Sequence, residues 1–170
     1  MESRARLAGH AVHPMLITLP LGLLATAVIF DIIRAVGDEA DFAVASFYMI
    51  AAGIIGGLLA ALFGLIDWLA IPAGTRAKRI GALHGVGNVV VVALFAVSWL
   101  LRRSQDGHVP TGVALWLGII AVLLALATAW AGGELVERLG VGVDEGANVD
   151  APSSLSGPVR SAGPRRPMGS

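Results

Sequence analysis

Four long apolar runs, separated by short polar connections, dominate the chain; they cover about 13–36, 42–71, 80–101 and 111–131. Each has roughly 20 residues or more, enough to cross a hydrocarbon core about 30 Å thick as a helix. The second exceeds that requirement and is expected to tilt or to project beyond the core. Leu, Ala, Val, Ile and Gly fill all four runs. Strands of a membrane barrel would instead alternate apolar and polar residues at every second position. The connections are an acidic turn (Gly37 to Asp41), a basic turn (Pro72 to Arg79) and a polar stretch (Arg102 to Pro110). Loops this short make neighbouring helices antiparallel, so the chain predicts an all-α, up-down-up-down four-helix transmembrane bundle. Both termini then lie on one face, side A, and the opposite face is side B. Residues 144–170 are rich in Gly, Pro, Ser, Asp and Arg. That composition predicts a disordered tail after a transmembrane domain over residues 1–143.

Composition agrees with a membrane protein. Hydrophobic residues make up 56% of the 170 residues and charged ones 14%, too few to cover a soluble surface. The formal net charge is zero, so nothing draws the chain to nucleic acid. With no cysteine, disulfides, thiolate catalysis, Cys-ligated iron–sulfur clusters and covalent c-type haem attachment are excluded. Arg4 and Arg6 ahead of the first run resemble the start of a signal peptide. The run is too long for one, and three more follow, so an uncleaved first helix is expected. Arg4, Arg6, Arg76, Lys78, Arg79 and Arg138 lie towards side A; Arg34, Arg102 and Arg103 lie towards side B. The excess places side A, with both termini, in the cytoplasm of a bacterial plasma membrane.

Polar residues within the spans are few, and such residues usually face the bundle interior. Asp31, Asp67 and His84 are the ionisable ones; His13 opens the first helix and Glu134 follows the fourth. Asn88 is one turn beyond His84, on its face. Up-down topology brings His13, Asp67, His84 and Glu134 towards side A, one from each helix. Asp31 is 18 residues after His13 on the same face but near side B, where Arg34 is its expected partner. His10 shares the face of His13 if the first helix extends back that far. His108 is expected to be an exposed loop residue, and Trp68, Trp99, Trp116 and Trp130 to be interfacial aromatics. The small residues Gly53, Gly56, Gly57, Ala60, Ala61, Gly64, Gly81 and Gly85 predict close helix packing.

Three chemistries suit the side A layer. Haem b needs two imidazoles on different helices. His13 and His84, on parallel diagonal helices roughly 11–14 Å apart, would be its axial ligands, with Asp67, Asn88 and Glu134 around them and the glycines leaving room for the macrocycle. A mixed metal site would use His13, His84, Asp67 and Glu134. A proton or ion pathway would use Asp67 and His84. Each residue also has a structural reading. His13 caps a helix, His84 bonds to Asp67 or to a backbone carbonyl, Asp67 pairs with Arg76 or Arg79, and Glu134 sits beside Arg138. The polar layer then only locks the bundle of a non-catalytic accessory or binding protein. Walker, Gly-x-Ser-x-Gly, His-Glu-x-x-His and dinucleotide motifs are absent, which points away from an enzyme acting alone. Expected partners are the lipid bilayer and either a redox partner protein or further copies of the chain.

The runs His13-Pro14-Met15-Leu16-Ile17-Thr18-Leu19-Pro20-Leu21-Gly22 and Gly64-Leu65-Ile66-Asp67-Trp68-Leu69-Ala70-Ile71-Pro72 resemble signatures of the bacterial membrane family catalogued as domain of unknown function 2231. So do His84 with Asn88, and Gly132-Gly133-Glu134-Leu135-Val136 followed by Gly140-Val141-Gly142-Val143. The resemblance covers roughly residues 8–143. It implies the four-helix membrane fold without an assigned activity. Relatives fused or adjacent to Rieske-type or other redox modules imply a lean towards electron transfer. With no cysteine, such a module does not lie within this chain.

Overall fold

The computed structural model describes residues 1–37 and 39–156. Four helices form the bundle: α1 (Val12–Gly37), α2 (Ala40–Ala70), α3 (Arg76–Arg102) and α4 (Gly112–Gly133). All four are long and apolar enough to cross a membrane. Each packs against its neighbours in sequence, and α4 closes onto α1, so α1 and α3 lie on one diagonal. Packing is tighter within the α1–α2 and α3–α4 hairpins than between them.

Local chemistry explains the helix boundaries. Thr75 and Thr111 cap α3 and α4, their hydroxyls accepting from the backbone N–H of Lys78 and Ala114, which satisfies donors left free in a first turn. Pro20 lies inside α1. It packs on the bare backbone of Gly56 in α2, where a Cβ would sit 3.4 Å from its Cδ. Close approach at the glycines compensates for the hydrogen bond that proline removes. Beyond α4 the chain makes a π-helical turn, Glu134–Arg138.

Before α1 comes a small antiparallel hairpin, β1 (Arg6–Leu7) and β2 (His10–Ala11). Ala8 and Gly9 turn it with positive φ, the backbone of a two-residue hairpin loop. The hairpin puts His10 outside the helix, its Nδ1 bonded to the Ala8 carbonyl, so His10 does not share the face of His13. Residues from Gly140 onward fold back on this segment. Gly142 N–H donates to the Met1 carbonyl, Arg6 pairs with Asp144, and Ser154 Oγ donates to the Ala8 carbonyl. The N-terminal segment and the residues after α4 up to Ser154 thus share side A. The expected disordered tail carries these contacts in its first residues, and residues 157–170 lie outside the described ones.

An apolar cluster, Leu24, Ala27, Val28, Ile50, Val91, Phe95 and Ala121, fills the centre of the bundle. Towards side B it gives way to a buried ion pair. The fully buried Arg102 guanidinium donates Nη1 to Asp31 Oδ1 and Nη2 to Oδ2, both at 2.9 Å. Ser46 and Ser98 hydroxyls accept from the same two nitrogens. The main partner of Asp31 is therefore on the diagonal helix, not Arg34 one turn away. In an apolar interior a carboxylate is held charged only by a fixed, well-bonded cation, and an arginine ending α3 at the depth of Asp31 supplies one. His108 is also not a free loop residue. Its ring stacks on Phe47 at 3.8 Å, and its Nδ1 lies 3.3 Å from the Arg102 carbonyl.

Arg102→Met leaves a carboxylate uncompensated and is expected to lower stability by about 3–5 kcal/mol. Asp31→Leu with Arg102→Met removes both charges and should cost distinctly less. Equilibrium unfolding in mixed detergent micelles measures both.

Candidate functional site

The side A layer is built from pairs of neighbouring helices. In the α1–α2 hairpin, His13 Nδ1 lies 2.8 Å from the Ala60 carbonyl. In the α3–α4 hairpin, His84 Nδ1 lies 2.8 Å from the Thr128 carbonyl. A carbonyl oxygen can only accept, so each Nδ1 carries a proton and donates it. Each neutral imidazole then has its lone pair on Nε2. Facing glycines make the close approach possible. A Cβ on Gly64 would fall 2.9 Å from His13 Cε1, and one on Gly132 would fall 3.0 Å from His84 Cε1.

The two rings meet across the diagonal. Their centroids are 6.3 Å apart and their planes perpendicular. On the His84 side the network continues: Asn88 Nδ2 donates to His84 Nε2 at 3.1 Å, and Thr128 Oγ1 donates to Asn88 Oδ1 at 2.9 Å. Asn88 therefore touches His84, one turn before it.

The two carboxylates of the expected layer are engaged elsewhere. Asp67 holds the N-terminal segment: it accepts from Ser3 Oγ at 2.8 Å and from the backbone N–H of Arg4 at 2.8 Å. Glu134 accepts from Arg76 Nη2 at 2.6 Å. Among the described residues no three His, Asp or Glu side chains converge as metal ligands, so the mixed site of His13, His84, Asp67 and Glu134 is not assembled. The segment just before the N-terminal hairpin, through Ser3 and the backbone of Arg4, satisfies Asp67 in place of Arg76 or Arg79.

Trp68 is a latch more than an interfacial aromatic. Its Nε1 donates to the Lys78 carbonyl, while Lys78 Nζ donates to the Trp68 carbonyl and sits 4.0 Å from the ring centre. The glycines expected to make room for a macrocycle are largely taken up by neighbours: Gly53 by Leu24, Gly57 by Val92, Gly87 by Thr128 and Gly118 by Val28.

His13, Asp67, His84, Asn88 and Glu134 all fall within residues 9–145, which match a family model described as a predicted membrane protein, DUF2231. The chain belongs to this family. No curated protein and no solved structure matches it. The family description extends to the membrane and stops there, so any activity must be argued from the site itself.

Two glycines separate seat from spacer. Gly64→Ala should cost about 1–3 kcal/mol, because the added methyl meets the pinned His13 ring. Gly85→Ala has nothing within 4 Å to meet and should be neutral or stabilising by about 0.4–1 kcal/mol. Thermal denaturation of both variants in detergent provides the comparison.

Proposed function

We propose that this membrane protein is a haem-b-binding, redox-linked subunit in which His13 and His84 are the axial ligands. The observation that carries the reading is the pair of imidazoles set at right angles, 6.3 Å between centroids, each with Nδ1 anchored on a backbone carbonyl. A metal bonded to two imidazoles at about 2.0–2.1 Å from each nitrogen places their centroids roughly 6 Å apart. An Nδ1–H bonded to a carbonyl fixes the tautomer and orientation that a metal-ligating histidine needs.

The donor set favours haem over a bare ion. A zinc ion seeks about four protein ligands, and the described residues bring two histidines without a third His, Asp or Glu. Haem iron brings four nitrogens of its own and asks the protein for one or two. His13 and His84, one from each hairpin, would hold the group at the seam between the hairpins, the looser contact of the bundle. Bound there, haem would supply one-electron chemistry. The chain's own contribution is to fix both rings and to keep the site within an apolar bundle. To hold the haem, His84 would give up the hydrogen bond that its Nε2 accepts from Asn88. Electron transfer further implies a redox partner protein.

The alternative reading, a non-catalytic accessory protein, is favoured by one observation: Asn88 already engages His84 Nε2, so the polar layer can serve as a lock alone. For either reading we infer a bacterial plasma membrane with side A cytoplasmic. Burial of Arg102 in its ion pair leaves Arg34 and Arg103 as the basic residues near side B, which widens the bias that orients helices.

Protein purified in detergent from haem-replete cells should show a Soret band and bound haem. His13→Ala and His84→Ala should each abolish or shift that band while the protein stays folded. A colourless wild-type protein with an unaltered helical circular-dichroism spectrum favours the accessory reading. C-terminal reporter fusions test orientation: green fluorescence without alkaline phosphatase activity is expected.

A further inference from the structure

The two hairpins carry the same plan. Arg102 follows Asp31 by 71 residues, and His84 follows His13 by the same 71. In the second helix of each hairpin, Thr128 follows Ala60 by 68 residues, and Gly132 follows Gly64 by the same 68. The equivalent positions make equivalent contacts. His13 bonds the Ala60 carbonyl and rests on Gly64; His84 bonds the Thr128 carbonyl and rests on Gly132.

Burial obeys the same offsets. Leu24 and Phe95 are both buried, as are Gly53 and Ala121. At the ion pair, Ala27 corresponds to Ser98 and Ser46 to Ala114, and all four are fully buried. Each hairpin thus has one serine and one alanine there, on opposite helices. Such correspondence across two hairpins of low residue identity is a repeat related by an axis along the membrane normal.

We infer that the bundle is an internally duplicated hairpin, and that Asp31 and Arg102 are its pairing determinants. They occupy the same position in the two halves and meet on the axis. A hairpin facing its own copy would oppose Asp to Asp or Arg to Arg in an apolar interior, at heavy electrostatic cost. Opposite charges make each hairpin choose the other. The His pair lies on the same axis at the other end, so each hairpin brings half of the candidate site. This inference rests on the repeat and does not need haem to be bound.

The test is an exchange of residues within the full chain. Asp31→Arg alone and Arg102→Asp alone create like-charge pairs, and both should fail to give a monodisperse, cooperatively unfolding protein in detergent. The double variant D31R/R102D should recover a folded monomer and at least half of the lost thermal midpoint. Adding A27S, S98A, S46A and A114S exchanges the surrounding polar groups as well, and should bring the midpoint still closer to wild type. A double variant no better than the single ones would overturn the inference. So would a six-residue exchange that falls below the double. None of these readouts depends on a cofactor, so the outcome is distinct from that of the spectroscopic test.

Discussion

In hydrocarbon a polar group has no water to fall back on, and every one must find its partner within the protein. That constraint decides how the two hairpins of this bundle meet. At one end of the seam it forces Asp31 onto Arg102, with Ser46 and Ser98 accepting from the same two guanidinium nitrogens. At the other it pins His13 and His84 onto carbonyls of their neighbouring helices. The apolar cluster around Phe95 and Ile50 fills the space between. The seam is apolar between its two polar layers, which lie 18 residues apart along α1, or roughly 27 Å at 1.5 Å per residue.

The two layers differ in what they leave free. The Asp31–Arg102 pair is bidentate and fully buried, its charges committed to each other. The histidine layer keeps coordinating capacity. Anchoring through Nδ1 leaves both Nε2 lone pairs towards other partners, and among the described residues that of His84 is engaged by a neighbouring side chain, Asn88. Asp67 and Glu134 border the layer without entering it. They tie Ser3 and Arg4 of the N-terminal segment and the first residue of α3 to the bundle's end.

Much of the architecture was legible from the residues. Uniform apolar runs announce membrane helices, and short loops force their alternation, so the spans and the common depth of His13 and His84 follow directly. The rotation of each helix about its axis is harder to read. A helix apolar all round has no marked face, so partners across the bundle are ambiguous. That is why Asp31 pointed to nearby Arg34 when its partner is Arg102, and why Asp67 was not linked to Ser3. The equal 18-residue spacing from His13 to Asp31 and from His84 to Arg102 was a usable signal, because it fits one face of each diagonal helix. The burial of His108 against Phe47 carried no comparable mark, since it depends on a turn with positive φ at Gly107 and His108.

The imidazole pair, one ring from each hairpin, is the proposed seat of the haem. Titration of haemin into purified, detergent-solubilised protein, followed by visible and electron paramagnetic resonance spectroscopy, examines that most directly. Saturation at one haem per chain, with a low-spin six-coordinate signal that is lost in both His13→Ala and His84→Ala, is the predicted result. Binding that is unsaturable, high-spin, or unchanged by either substitution would contradict it.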